Sequence, residues 1–165
     1  MFEPLNTEEA WTPYLGLLED LKARLESKPW FLDGWKAQCR YVSAGNRVIF
    51  LLTKERWCDE AIYFKARLTN ADLRKGLVRV GLHVETSISR HGINRITFDR
   101  ALLDGIGEQI QSWNGYVLKP LHYQKPFHIW IPFTKASLVS ALETEFVRIQ
   151  QFDSAIDQAI LASKA

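Results

Sequence analysis

From residue 59 to residue 85 the chain reads DEAIYFKARLTNADLRKGLVRVGLHVE, and this alternation constrains the fold more than any other feature. In DEAIYFKARLT (59–69), Ile62, Phe64, Ala66 and Leu68 share one face, while Ala61, Tyr63, Lys65 and Arg67 share the other. In LVRVGLHVE (77–85), Val78, Val80, Leu82 and Val84 alternate with Arg79, Gly81, His83 and Glu85. A period of two places successive side chains on opposite sides of a pleated strand, so each segment predicts a strand with one apolar face and one wet face. The connection NADLRKG is long enough for one helical turn and short enough for antiparallel neighbours. Lys65, Arg67, Arg79, His83 and Glu85 are therefore expected on one open sheet surface.

Around this pair the pattern changes period. After Thr7, a candidate N-cap, EEAWTPYLGLLEDLKARLESK predicts a helix over about 8–27, with Pro13 in its early turns. GWKAQCRYV and RVIFLLTKE flank the turn Ser43-Ala44-Gly45-Asn46 and predict a hairpin. NRITFDRALLDGIGEQIQSW predicts a surface helix with Phe98, Leu102, Ile106, Ile110 and Trp113 on its apolar stripe and Asp99, Asp104 and Glu108 away from it. Gly105 and Gly107 inside it predict close approach of another backbone. The strands YVLKP and FHIWIPF follow, then a helix over about 135–162. The expectation is one α+β domain over residues 1–165. Its sheet is mainly antiparallel with about five to six strands, packed by an N-terminal helix, a middle helix and a long C-terminal helix. A chain with 47% hydrophobic and 24% charged residues has the composition of such a domain.

The longest apolar run is VIFLL at 48–52, too short for a membrane span, and the acidic start MFEPLNTEEAW is unlike a secretory leader. A cytoplasmic protein is expected, with Cys39 and Cys58 as reduced, buried thiols. Neither a cofactor nor a metal is implied, since no Cys or His companions sit at ligand spacing. A net charge of +2 excludes the one-signed field of an avid non-specific polyanion binder, while leaving room for a local basic patch.

Arg90-His91-Gly92 spells the tripeptide that carries phosphohistidine in the histidine phosphatase family. In that family it follows a buried parallel strand near the N-terminus. Here it lies behind the polar stretch ETSIS and predicts a loop between the fourth strand and the next helix. No Gly-x-Ser-x-Gly elbow or Gly-rich phosphate loop occurs, and Lys65 has Tyr63 where a restriction-type nuclease core needs a carboxylate. No catalytic residue is assigned. His83 and Glu85 could form an acid/base pair, and His122 and His128 flank Lys125-Pro126 without a fixed geometry.

Surface chemistry is what remains. WNGYVLKPLHYQKPFHIW (113–130) interleaves aromatic and basic residues, and KPWFLDGW (28–35) is a second aromatic cluster. The leading reading is a non-enzymatic interaction module, an adaptor, inhibitor or immunity-type accessory, that binds a protein partner through Trp113, Tyr116, Tyr123 and Trp130. The alternative is a nucleic-acid-binding accessory using Lys65, Arg67, Arg79, His83, Lys119 and Lys125. A third reading is a small-ligand-binding enzyme built on His83 and Glu85. Phe152 and neighbouring apolar positions on the last helix exceed what one sheet face needs, which points to a homodimer. A leading helix, a strand meander, a helix ending in Trp113-Asn114-Gly115 and a long last helix, over about 30–160, resemble uncharacterised domains found beside bacterial restriction-type nucleases. That resemblance implies a bacterial, defence-related accessory that is DNA-associated, and it transfers no catalytic residue.

Overall fold

The two alternating segments pair as antiparallel neighbours. In the computed structural model, which describes residues 2–119 and 124–164, they are β3 (Ile62–Leu68) and β4 (Leu77–Val84). They are joined by the short helix α2 (Asn70–Lys75), whose start is a reciprocal capping box. The Thr69 hydroxyl accepts from the Asp72 N–H and the Asp72 carboxylate accepts from the Thr69 N–H. Gly76, at φ 67°, closes the helix in the left-handed conformation and turns the chain into β4.

The predicted hairpin is β1 (Trp35–Val42) and β2 (Arg47–Lys54). Asn46 closes its turn at φ 46° and ties the N-terminal segment down, accepting from Trp11 Nε1 and Tyr41 Oη and donating to the Leu5 carbonyl. The last two strands are β5 (Val117–Leu118) and β6 (Phe127–Pro132). The sheet order is β1-β2-β3-β4-β6-β5, antiparallel throughout. β6, arriving after a long excursion, docks directly beside β4, and β5 forms the far edge.

The long helices are α1 (Glu8–Glu26), α3 (Arg95–Ser112), α4 (Leu138–Ile149) and α5 (Asp153–Ser163). The side chains that the helices bury join one cluster on one face of the sheet, with α1 against β1, β2 and α4, and α3 against α5. Trp11, Phe50, Phe64, Phe98, Phe127 and Phe146 are fully buried there. On the other face, among the described residues, Ile49, Leu51 and Tyr63 with Val42 packed against them form a small apolar cluster that no described helix joins. The architecture is thus a two-layer α+β sandwich with one sheet face uncovered by helix. No helix among the described residues is long and apolar enough to cross a membrane.

Several expectations need correction. The C-terminal helix is interrupted by a 3-10 turn at Gln150–Phe152 that drives Phe152 inward, stacked on Trp113 at 4.9 Å and edge-on to Phe127 at 6.0 Å. Phe152 is only 3% exposed, so the residue assigned to a symmetric partner is consumed by the chain's own core. Asp99, expected on the wet side of α3, is buried because both carboxylate oxygens lie 3.0 Å from Arg95 Nε. Gly105 does face a neighbour, the Ala155 methyl of α5, but Gly107 faces open space. β3 begins three residues later than the alternation suggests, because Cys58, Asp59 and Glu60 all adopt positive φ in the preceding turn. Cys58 is buried, whereas Cys39 is only half-buried and donates its thiol to Glu19 at 3.0 Å.

Lys54 is the least expected core residue. It ends β2 with its aliphatic stem buried, 1% exposed, and its ammonium 4.6 Å from the centre of the Trp35 ring. Asp33 at 3.2 Å and Asp153 at 3.1 Å supply the counter-charge, so this cation clamps the β1–β2 hairpin to the start of α5.

Candidate functional site

The uncovered face can be built from the strand register. Residues directly opposite one another in antiparallel neighbours point to the same side. One row across the sheet runs Arg40, Ile49, Arg67, Arg79, Trp130. The next runs Gln38, Leu51, Lys65, Gly81, His128, Val117, and the one beyond it runs Lys36, Thr53, Tyr63, His83. Apolar residues lie toward β1 and β2, while the cations gather where β3, β4 and β6 meet. Arg67 stands directly opposite Arg79, an arrangement that ordinarily destabilises a sheet.

A shallow depression opens at that meeting point, lined by Lys65, Arg67, Arg79, His83, Lys125 and His128 around Gly81. Gly81 makes it possible. A Cβ there would stand 2.3 Å from the Phe127 carbonyl oxygen and 2.8 Å from the His128 Cβ, so only glycine lets β6 come this close. The floor has room for about 10 Å³, enough for a single water-sized group.

The electrostatics of this corner follow from crowding like charges at low dielectric. Burial first, then the neighbouring Arg47, Lys125, Arg67 and Arg79, pushes the Lys65 amine down to about 8. Burial likewise pushes the His83 imidazole down to about 4, against the pull of Glu85 and with the push of Lys65, Lys125 and Arg79. Lys125 and His128 are lowered by the same combination, burial leading. Among the described residues, the buried side-chain nitrogens without a hydrogen-bond partner are Arg47 Nε, Arg67 Nε, His83 Nδ1 and His128 Nδ1, and all four belong to this face. Buried polar atoms are nearly always satisfied, and three of these four, from Arg67, His83 and His128, belong to residues around one depression whose hydrogen-bond partners the described residues do not supply.

Few carboxylates offset the cations. Asp72, the capping residue of α2, lies 3.6 Å from Arg67 Nε, outside hydrogen-bond reach. Glu85 accepts from the Tyr63 hydroxyl at 2.5 Å and stands 3.7 Å from His83 Nε2, while the Tyr63 and His83 rings stack at 4.9 Å. His83 and Glu85 therefore lie close without a hydrogen bond between them, with Glu85 just beyond the end of β4 and Tyr63 as its hydrogen-bond donor.

The aromatic residues of the 113–130 segment separate into two groups. Trp113 is stacked on Phe152 with the Arg148 guanidinium 4.5 Å from its ring centre. The Tyr116 hydroxyl donates to the Glu145 carboxylate, and burial followed by that bond raises its pKa. Both rings are engaged inside the helical layer, away from the open face. Trp130 is different: it is 37% exposed on the open face with the Arg79 guanidinium 5.9 Å from its ring centre. Tyr123 and His122 lie outside the described residues. In the second aromatic cluster Trp35 is core, while Leu32 is 87% exposed.

Of the basic residues expected to act together, Lys65, Arg67, Arg79, His83 and Lys125 meet at one depression, and Lys119 is near enough to help lower His128. Arg40 and Arg47 were not singled out from the sequence, Gly81 was placed on the wet face without a role, and His128 was noted without a fixed geometry. The signal for His128 is its parity with Trp130 in FHIWIP, and for Arg47 its parity with Ile49 and Leu51 at the head of β2. Arg90-His91-Gly92 falls in a 3-10 turn between β4 and α3, with Gly92 at φ 73°, as the loop reading expected. No family model, curated protein or solved structure matches this chain.

Proposed function

We propose that the uncovered sheet face binds a phosphate-bearing polymer, single-stranded nucleic acid, and that the protein serves as a nucleic-acid-binding accessory. The observation that carries this reading is the cation cluster itself. Arg67 and Arg79 are opposed across β3 and β4, with Lys65 and Lys125 beside them, and three of the residues with unsatisfied nitrogens, Arg67, His83 and His128, line the same depression. Holding that cluster costs stability in the free protein, and such local costs are characteristic of functional sites. A sheet face with an exposed Trp130 beside Arg79 suits a base that stacks and phosphate that meets clustered cations. Among the described residues, no helix or ribbon protrudes from this face to enter a duplex groove. A protein partner anchored by Trp113 and Tyr116 would first have to pull those rings from Phe152 and Glu145.

The test is fluorescence anisotropy with labelled single-stranded and duplex oligonucleotides over a salt series. Four phosphate contacts, by Lys65, Arg67, Arg79 and Lys125, give a log–log salt slope of about −2.8, or about a 50-fold loss between roughly 50 and 200 mM salt. The double variant Arg67→Glu/Arg79→Glu should lose binding and bring the slope toward half that value. Binding that ignores salt, or that survives the double reversal, overturns the proposal.

A further inference from the structure

We infer that the depression at Gly81 is the seat of a terminal phosphate monoester, so that a strand is held by its phosphorylated end. This rests on the reading of the face as a nucleic-acid surface. Three observations carry it. The first is shape. The floor admits only about one water-sized group, and its walls are strand β6 on one side and the stems of Lys65 and Arg67 on the other. One phosphoryl oxygen can enter the floor, and the rest of a terminal group, with no second sugar to place, lies in the open mouth above it.

The second is charge. Lys65, Arg67, Arg79 and Lys125 converge on this one point instead of spreading along a track. Successive diesters carry one charge each and are best met by cations in a line. A monoester concentrates about −1.5 to −2 and three strong acceptor oxygens at one place, which is what a converging cluster matches. The third is the set of donors. Among the described residues, Arg67 Nε, His83 Nδ1 and His128 Nδ1 are buried without a hydrogen-bond partner, Arg67 Nε having only the longer ion pair to Asp72. With a hydrogen on an imidazole nitrogen, these residues supply donors to the phosphoryl oxygen that enters the floor. Trp130, one strand-row away from Lys65 and beside Arg79, is placed to stack under the terminal base.

The experiment compares one sequence of about twelve nucleotides in three forms: 5′-phosphorylated, 3′-phosphorylated and unphosphorylated at both ends. Inorganic phosphate serves as competitor, and the proteins are wild type, Lys65→Met and Lys125→Ala. The expected result is that one phosphorylated form binds about tenfold or more tighter than the unphosphorylated one. That preference should shrink in both variants, and inorganic phosphate should displace the phosphorylated form. Equal binding of all three forms, within about twofold, overturns the phosphate seat while leaving the nucleic-acid reading standing. Stabilisation by inorganic phosphate in a thermal shift, lost in Lys65→Met, with no binding of any oligonucleotide, would do the reverse. It would keep the seat and overturn the nucleic-acid reading.

Discussion

Replacing Lys65 by Met should make the protein more stable, the opposite of the usual effect of changing a half-buried residue. Lys65 lies between Leu51 of β2 and Gly81 of β4, with Arg47, Arg67, Arg79 and Lys125 as electrostatic neighbours. Its amine falls from an ordinary 10.5 to about 8, a gap of about 2.5 units. At about 1.36 kcal/mol per unit the charged form is disfavoured by roughly 3 kcal/mol, and water reaching the partly exposed ammonium reduces this to about 2 kcal/mol. Methionine keeps the unbranched stem against Leu51 and removes the charge. The expected gain at pH 7 is about 2 kcal/mol, or roughly 4–8 °C in Tm for a chain of this size.

The pH dependence gives the sharper check. The folded-state pKa lies below the unfolded one, so between about pH 8 and 10.5 the unfolded chain holds the extra proton and wild-type stability rises with pH. Below pH 8 the penalty is present in full; above 10.5 it has gone. The advantage of Lys65→Met should therefore be largest at pH 7 and nearly absent at pH 10.5. Urea denaturation of both proteins at several pH values, followed by circular dichroism, measures it. Taking the difference between the two proteins cancels the other groups that titrate in this range. A variant less stable than wild type at pH 7, or an advantage that does not change with pH, would refute the claim that this cation is held at a cost.

Two further perturbations test the scaffold. Lys54→Ala removes the ammonium that Asp153 faces in the core, and loss of one member of a buried pair should cost about 3–5 kcal/mol in thermal or chemical unfolding. Lys54→Met keeps the stem against Trp35 but leaves Asp153 just as unpaired, so it should recover only the packing share, on the order of 1 kcal/mol; equal losses in the two variants would show that the stem contributes nothing. Gly81→Ala forces a methyl to within 2.3 Å of the Phe127 carbonyl, so β4 and β6 must separate. About 3 kcal/mol of stability should be lost together with amide protection along β6, and an unchanged exchange pattern would show that the close approach is not needed.

The elements that could be read from sequence alone were those whose burial is one-sided. Ile62 to Leu68 and Val78 to Val84 alternate because one face meets the helices and the other does not, and that parity sorted Lys65, Arg67, Arg79 and His83 onto a single surface. Local pattern failed where a distant contact decides. Lys54 is polar by type, but its parity with Phe50 and Leu52 places it on the helical side, where Asp153, 99 residues away, neutralises it. Trp113 and Tyr116 sit among basic residues in sequence, yet the 3-10 break at Gln150–Phe152 brings Phe152 and Arg148 to meet Trp113, and Glu145 holds Tyr116.

The same reasoning explains why a net charge of +2 conceals the basic face. Charge summed along a chain says nothing about layers. In the folded protein Asp33, Glu143, Glu145, Asp153 and Asp157 are committed to partners around the helical layer, where Arg24, Lys28, Lys54, Arg56 and Arg148 meet them. Among the described residues, Asp72 and Glu85 are the carboxylates placed beside Arg67 and His83 at the depression. The cluster also depends on topology. β6 could have added at the free edge of β1; by docking beside β4 it carries Lys125 and His128 to Lys65, and Gly81 is the residue that lets it do so. The basic site is therefore a consequence of strand order, and a sequence pattern without that order contains its residues but not their meeting.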